Sequence, residues 1–167
     1  MRSWLGGSLI AAALATLVSL TASADEGAWR VTSPRVALAS RPDRLELVIP
    51  SGRARGVTSR AISIEPGQEY VAVARLDLDA LIARGAFLRV ALYPSAAGGR
   101  QRLRLDSTFA ADGESTLSVR FAAPSWARAA KLRVLARPDA ERDVETTIPA
   151  LLPVSGAPVV VLRPEDE

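Results

Sequence analysis

The segment Ile62-Ser63-Ile64-Glu65-Pro66-Gly67-Gln68-Glu69-Tyr70 constrains this chain more than any other, because it can hardly be accommodated except as two extended stretches joined by a tight reversal. Pro-Gly is a turn dipeptide, and it stands here between two alternating apolar segments. Apolar residues at every second position on both sides predict strands. Val119-Arg120-Phe121-Ala122-Ala123-Pro124 repeats the form, an alternating stretch stopped by proline.

The same grammar runs through most of the chain. Leu45, Leu47 and Ile49 alternate with Glu46 and Val48 and stop at Pro50-Ser51-Gly52; a polar loop then leads to Ile62 and Ile64. Tyr70, Ala72, Ala74, Leu76 and Leu78 share one face of the next strand, and Val71 and Val73 on its other face predict a central position. Asp79 to Arg84 is compatible with one helical turn. Leu88, Val90 and Leu92 then oppose Phe87, Arg89, Ala91 and Tyr93, and Ala96-Ala97-Gly98-Gly99 reads as a hairpin loop. Leu103 and Leu105 are expected inward with Arg102, Arg104 and Asp106 outward. Asp112-Gly113 is a further turn. Leu117, Val119 and Phe121 oppose Thr116, Ser118 and Arg120, and Leu132 and Val134 oppose Lys131 and Arg133. Turn signals about every 8 to 15 residues with no sustained helical period favour an all-β, antiparallel β-sandwich of the jelly-roll kind, with eight or nine strands.

The amino terminus reads as an export signal. Arg2 precedes an apolar run from Leu5 to Leu20, and Ala22-Ser23-Ala24 has the small-x-small form of a cleavage site. Residues 1–24 are therefore expected to be a signal peptide, 25–154 the sandwich domain and 155–167 a C-terminal extension. The destination is the periplasm or the exterior, with no membrane span after cleavage. The chain has no cysteine, so stability in an oxidising compartment has to come from packing and the sheet rather than disulfides.

Of 21 basic residues only Lys131 is lysine. Residues 27–164 carry 20 basic against 13 acidic groups, while both ends are acidic. Arginine's planar fork suits carboxylate and sulfate groups, although a general bias toward arginine and alanine would give the same composition. With neither histidine nor cysteine, a Ser-His-Asp or Cys-His site and an imidazole or thiolate metal site are excluded. Asp77 and Asp79, about 7 Å apart if both lie on one strand, are the remaining carboxylate pair that acid hydrolysis of a glycoside would need. Nothing around them points to a cleft, so no catalytic residue is assigned.

Gly56 to Tyr70, Phe87 to Tyr93, Asp106-Ser107 and Thr116 to Pro124, in that order, resemble the jelly-roll carbohydrate-binding modules of the galactose-binding-like superfamily. The resemblance spans roughly residues 28–154. It implies a glycan bound on a concave sheet or at loop edges through aromatic rings, and in many members a structural calcium. The matching Thr146-Thr147-Ile148-Pro149-Ala150-Leu151-Leu152 lacks the family's paired acids, so no metal and no cofactor is expected, with Asp143 and Glu145 the nearest oxygen donors.

Phe121 and Tyr70 fall on core faces. The candidate ligand-binding residues are therefore Arg89, Tyr93, Trp126, Phe87 and Arg120. Arg75, Arg102, Arg104 and Arg133 also occupy outward positions, and would join a basic strip for an acidic polysaccharide if they share a sheet; pairing with Asp77, Asp106 and Glu114 is the alternative. The expected protein is a non-catalytic exported module for a polysaccharide, with an envelope structural or protein-interaction domain lacking a glycan ligand as the alternative. No nucleic-acid motif is present. Val159-Val160-Val161-Leu162, beyond Ser155-Gly156-Ala157-Pro158, is a run of β-formers suited to a partner's sheet edge, with a terminal edge strand or a flexible tail of the same domain as the alternative.

Overall fold

The computed structural model describes residues 20–21, 28–77, 85–95, 99–109 and 115–154. Thirteen strands are present among them, and none of these residues is α-helical. They are β1 (Leu20–Thr21), β2 (Trp29–Val31), β3 (Ala37–Ser40), β4 (Arg44–Ile49), β5 (Arg55–Ser59), β6 (Ile62–Ser63), β7 (Glu69–Asp77), β8 (Phe87–Tyr93), β9 (Leu103–Asp106), β10 (Ser115–Ala122), β11 (Ala129–Ala136), β12 (Arg142–Thr147) and β13 (Ala150–Pro153). All pairings are antiparallel.

Two sheets result. In sheet A, β3, β4 and β12 lead to β7, whose other edge carries β10; β13 continues along the β12 side of β7 and bears β1. Sheet B runs β2, β5, β11, β8, β9, with β6 also on β11. The strands number more than eight or nine because several span only two to four residues, too short for periodicity to register. The polar loop expected before Ile62 also contains a strand, the five-residue β5. β5 is marked by a single buried apolar side chain, Val57, and Gly56 beside it packs against the Val134 carbonyl, which an added Cβ would approach to 1.9 Å.

The turn at Glu65–Gln68 has the expected form. Gly67 has φ of +79° and the Gln68 N–H donates to the Glu65 carbonyl at 3.2 Å. Its proline-stopped echo is its physical neighbour: Gly67 N–H donates to Ala123 O at 2.7 Å, and Ala123 N–H to Gln68 O at 2.8 Å. The Glu65 N–H donates to the Tyr70 hydroxyl, and the Tyr70 ring stacks on Phe121 at 5.7 Å. The two motifs fasten one end of sheet A.

Between the sheets, Leu45, Leu47, Ile49, Ala72, Ala74, Leu76, Leu117 and Leu151 meet Val57, Leu88, Val90, Leu92, Leu132 and Val134 in one buried cluster. Full burial of such side chains stabilises by about 1.5–3 kcal/mol each. The expected inward faces of β4, β7, β10 and β11 are those observed, and β7 is central. Leu103 departs from expectation. It sits at the start of the edge strand β9 and stays 37% exposed, while Leu105 packs against the core. The expected helical turn at 79–84, the loop residues 96–98, the Asp112-Gly113 turn and the tail 155–167 lie outside the described residues, as does the expected signal segment except β1.

Candidate functional site

On β8 the inner face is Leu88, Val90 and Leu92; the outer face is Phe87, Arg89, Ala91 and Tyr93, and register fixes its neighbours. Arg133 of β11 and Asp106 of β9 flank Arg89, while Lys131 and Arg104 flank Ala91. Thr58 of β5 continues the first row beyond Arg133, and Arg30 of β2 ends it. The outer face of sheet B thus carries Arg30, Arg89, Arg104, Lys131 and Arg133 against one acid, Asp106. Small residues floor it: Ala91 and Ala129 are fully buried and form a satellite cluster with Tyr93, apart from the main core.

Rings and cations interleave here. The Arg89 guanidinium lies 5.2 Å from the Phe87 ring centre, Lys131 Nζ 5.1 Å from that of Tyr93, and the Arg102 guanidinium 5.7 Å from that of Trp126. Arg133 Nη2 donates to the Tyr93 hydroxyl at 3.1 Å. Such cation–π contacts contribute about 0.5–1 kcal/mol each where exposed. Trp126 occupies the turn before β11 and is half-buried. A groove of about 520 Å³ opens at the Phe87 end, lined by Phe87, Arg89, Arg104, Asp106, Phe109 and Arg137 among others.

Arg89 holds Asp106 in a two-pronged ion pair, Nε to Oδ1 at 2.6 Å and Nη2 to Oδ2 at 2.7 Å. That hydrogen bonding holds the Asp106 carboxyl below its ordinary range, with further help from the Arg89 and Arg104 charges and against partial desolvation. The same bond raises Arg89. Among the described residues of this face Asp106 is the one acid, and the Arg89 fork neutralises it locally, while Lys131 and Arg133 engage the Tyr93 ring and hydroxyl.

Four of the five expected site residues, Phe87, Arg89, Tyr93 and Trp126, lie on or beside this face. Arg120 does not. It projects from β10 on the outer face of sheet A and is paired with Glu69 at 2.9 and 3.0 Å. The expected strip divides accordingly: Arg75 joins Arg120 on sheet A, and Arg102, Arg104 and Arg133 join Arg89 on or beside sheet B. Phe87 and Tyr93 are also more enclosed than open stacking platforms would be, at 9% and 6% exposure, because side chains from β11 and from β8 itself lie over them. The open ring is Phe109, 64% exposed and edge-on to Phe87 at 5.7 Å. Neither Phe109 nor Lys131 stood among the expected site residues. Alternation does place Lys131 outward, but only the pairing of β11 with β8 sets it over Tyr93.

Asp77 borders a second cavity of about 460 Å³ on sheet A with Asp43, Arg44, Arg75, Glu145 and Thr147; its expected partner Asp79 lies outside the described residues. Among the described residues, no group of three or more acidic side chains is placed to hold a metal ion, and no helix is long and apolar enough to cross a membrane.

No family model matches the sequence, and no curated protein does. Solved structures match it well. The C-terminal family 22 carbohydrate-binding module of a Clostridium thermocellum xylanase superposes with a TM-score of 0.54 at 13% identity, over 82% of this chain and 92% of that one. The family 22 xylan-binding domain from Paenibacillus barcinonensis gives 0.52 at 8%, over 81% and 98%. The fold is that of a jelly-roll carbohydrate-binding module. At such identities the likeness is one of architecture alone. The enzymatically active domain of bacteriophage CBA120 tailspike protein 4 gives 0.61 at 10%, over 81% of this chain and 21% of that one. This chain likewise spans 28% of a xylanase chain joining a binding module to a catalytic one. Three solved chains of which this chain covers more than 90% are carbohydrate-binding domains.

Proposed function

We propose that this chain is an exported, non-catalytic module that binds a polysaccharide, preferentially an acidic one, on the outer face of sheet B. The observation that carries the reading is the composition of that face: Arg30, Arg89, Arg104, Lys131 and Arg133 against Asp106 alone, interleaved with Phe87, Tyr93, Trp126 and Phe109 over an alanine floor. Guanidinium forks match carboxylate and sulfate geometry, and rings supply apolar area for sugar faces. The carbohydrate-binding domains sharing the fold support the glycan class. Export rests on the amino-terminal pattern of Arg2, the apolar run and Ala22-Ser23-Ala24.

The test is affinity electrophoresis and titration calorimetry against a uronic-acid polymer, a sulfated polymer and neutral xylan, at low and moderate salt. Binding to an acidic polymer that weakens about tenfold as salt screens the charges is the expected result. Salt-insensitive binding to xylan would shift the weight to ring stacking. Failure to bind any polymer would overturn the glycan reading and favour a protein partner in the envelope.

A further inference from the structure

The cations on the outer face of sheet B are of two kinds. Toward the Tyr93 end they are turned onto the protein itself: Lys131 lies over the Tyr93 ring, Arg133 donates to its hydroxyl, and Arg102 lies over Trp126. Arg89 is held by Asp106. Arg104 and Arg137 differ from these. Both are exposed, and among the described residues neither side chain makes a hydrogen bond, an ion pair or a ring contact; Arg104 acts on Asp106 only through its charge.

Both arginines line the groove of about 520 Å³ at the Phe87 end. Arg137 extends the alternation of Lys131, Arg133 and Leu135 by one step, and its N–H donates to Gly85 O at 3.0 Å, which carries the β11–β8 pairing past Phe87. Gly85 adds no side chain over the buried Phe87 and Leu135, and none fits there: a Cβ would lie 2.5 Å from the Arg137 carbonyl oxygen. Arg104 stands at the other end, opposite Ala91. About 20 Å of strand separates the two positions along β8, so they meet different units of a bound chain.

Between them lie Phe109, perpendicular to Phe87 and 64% exposed, and the Arg89–Asp106 pair. Three guanidinium groups and one carboxylate are among the described residues that line the groove. An apolar wall with surplus cation suits a ring that has an apolar face and carries an anion. A neutral sugar would use the wall alone, and a small inorganic anion the cations alone.

We propose that this groove is where the face distinguishes an acidic sugar from a neutral one. Uronate units lie against Phe109, Arg104 and Arg137 take the carboxylates of different units, and Asp106 accepts sugar hydroxyls on the lone pairs that the Arg89 fork leaves free. The proposal rests on the reading of sheet B as the glycan-binding face and names the residues that set its preference.

The test is titration calorimetry with a galacturonate oligomer and with the same oligomer after its carboxyls have been reduced to alcohols. The unaltered chain should prefer the acidic form about tenfold. Arg104→Gln with Arg137→Gln should bring that preference below about threefold and leave affinity for the reduced oligomer unchanged. Phe109→Ala should weaken both forms alike, by about fivefold. Neither arginine has a side-chain partner to lose, so the urea midpoint of the double variant should match that of the unaltered chain. A preference that survives the double substitution would overturn the proposal and leave the glycan-binding reading standing. So would a preference lost equally with Arg75→Gln and Arg120→Gln on sheet A. Binding of neither oligomer by the unaltered chain would overturn both.

Discussion

The outer faces of the two sheets are built from the same alternation and carry opposite electrostatics. Sheet B presents Arg30, Arg89, Arg104, Lys131 and Arg133 against Asp106; sheet A presents Glu46, Glu69, Asp77, Asp143 and Glu145 against Arg44, Arg75 and Arg120. On sheet A, charge is largely satisfied within the face. Glu69 is held by Arg120, Glu46 by Arg41 and Arg44, and both carboxyls lie below their ordinary range because of those hydrogen bonds. On sheet B the excess is cationic, Phe87 and Tyr93 are enclosed beneath it, and Tyr93 packs with two buried alanines. A basic composition alone therefore says little about binding; its distribution over two sheets decides which side can attract an anionic polymer.

The largest effect should come from reversing the cationic face. Lys131→Glu with Arg133→Glu is expected to weaken binding of a uronic-acid polymer by about a hundredfold, near 3 kcal/mol. Arg75→Glu with Arg120→Glu should change it less than about threefold; titration calorimetry reads both. Equal losses would end the distinction between the faces.

Stability separates the two arginine forks more modestly. Arg89→Met strips the partner from Asp106, whose pair has side chains 18% and 36% exposed, and should cost about 1 kcal/mol in urea unfolding after allowance for solvent screening. Arg120→Met removes an exposed pair, 63% and 43%, and should shift the urea midpoint by less than the measurement error. Reversal of that order would show that enclosure does not set the strength of these pairs.

The smallest effect concerns pH. The Asp106 carboxyl is depressed in the folded protein, so the stability it contributes is fully present above the unfolded carboxyl value, about 3.9, and is lost as pH falls through the depressed one. Asp106→Asn should lower stability near neutrality, flatten its decline below about pH 4 and converge with the unaltered chain at lower pH, as thermal unfolding across that range would report. A slope that survives the substitution would place the acid sensitivity on sheet A.

The sequence made legible what depends on neighbours along the chain. The Pro66-Gly67 turn, the inward faces of β4, β7, β10 and β11, and the central place of β7 all follow from local alternation and turn chemistry. Some short strands did not register: β5 shows one buried apolar residue, and β2 and β3 are too brief to display a period, whereas Ile62 and Ile64 did mark β6. Site composition was harder, because it depends on which strands become neighbours. Arg89 and Arg120 occupy equivalent outward positions in their own strands, yet β8 pairs with β11 and β9 while β10 pairs with β7, which sends them to opposite faces of the protein. Phe109, just past β9, was legible as an aromatic but not as a neighbour of Phe87.

The most direct measurement is a titration of the labelled chain with an acidic oligosaccharide, followed by amide chemical shifts. The account predicts movements concentrated at Arg89, Ala91, Lys131 and Arg133, with Val71 and Arg120 still. Movements centred on Val71 and Arg120, or none with any acidic or neutral sugar, would contradict it.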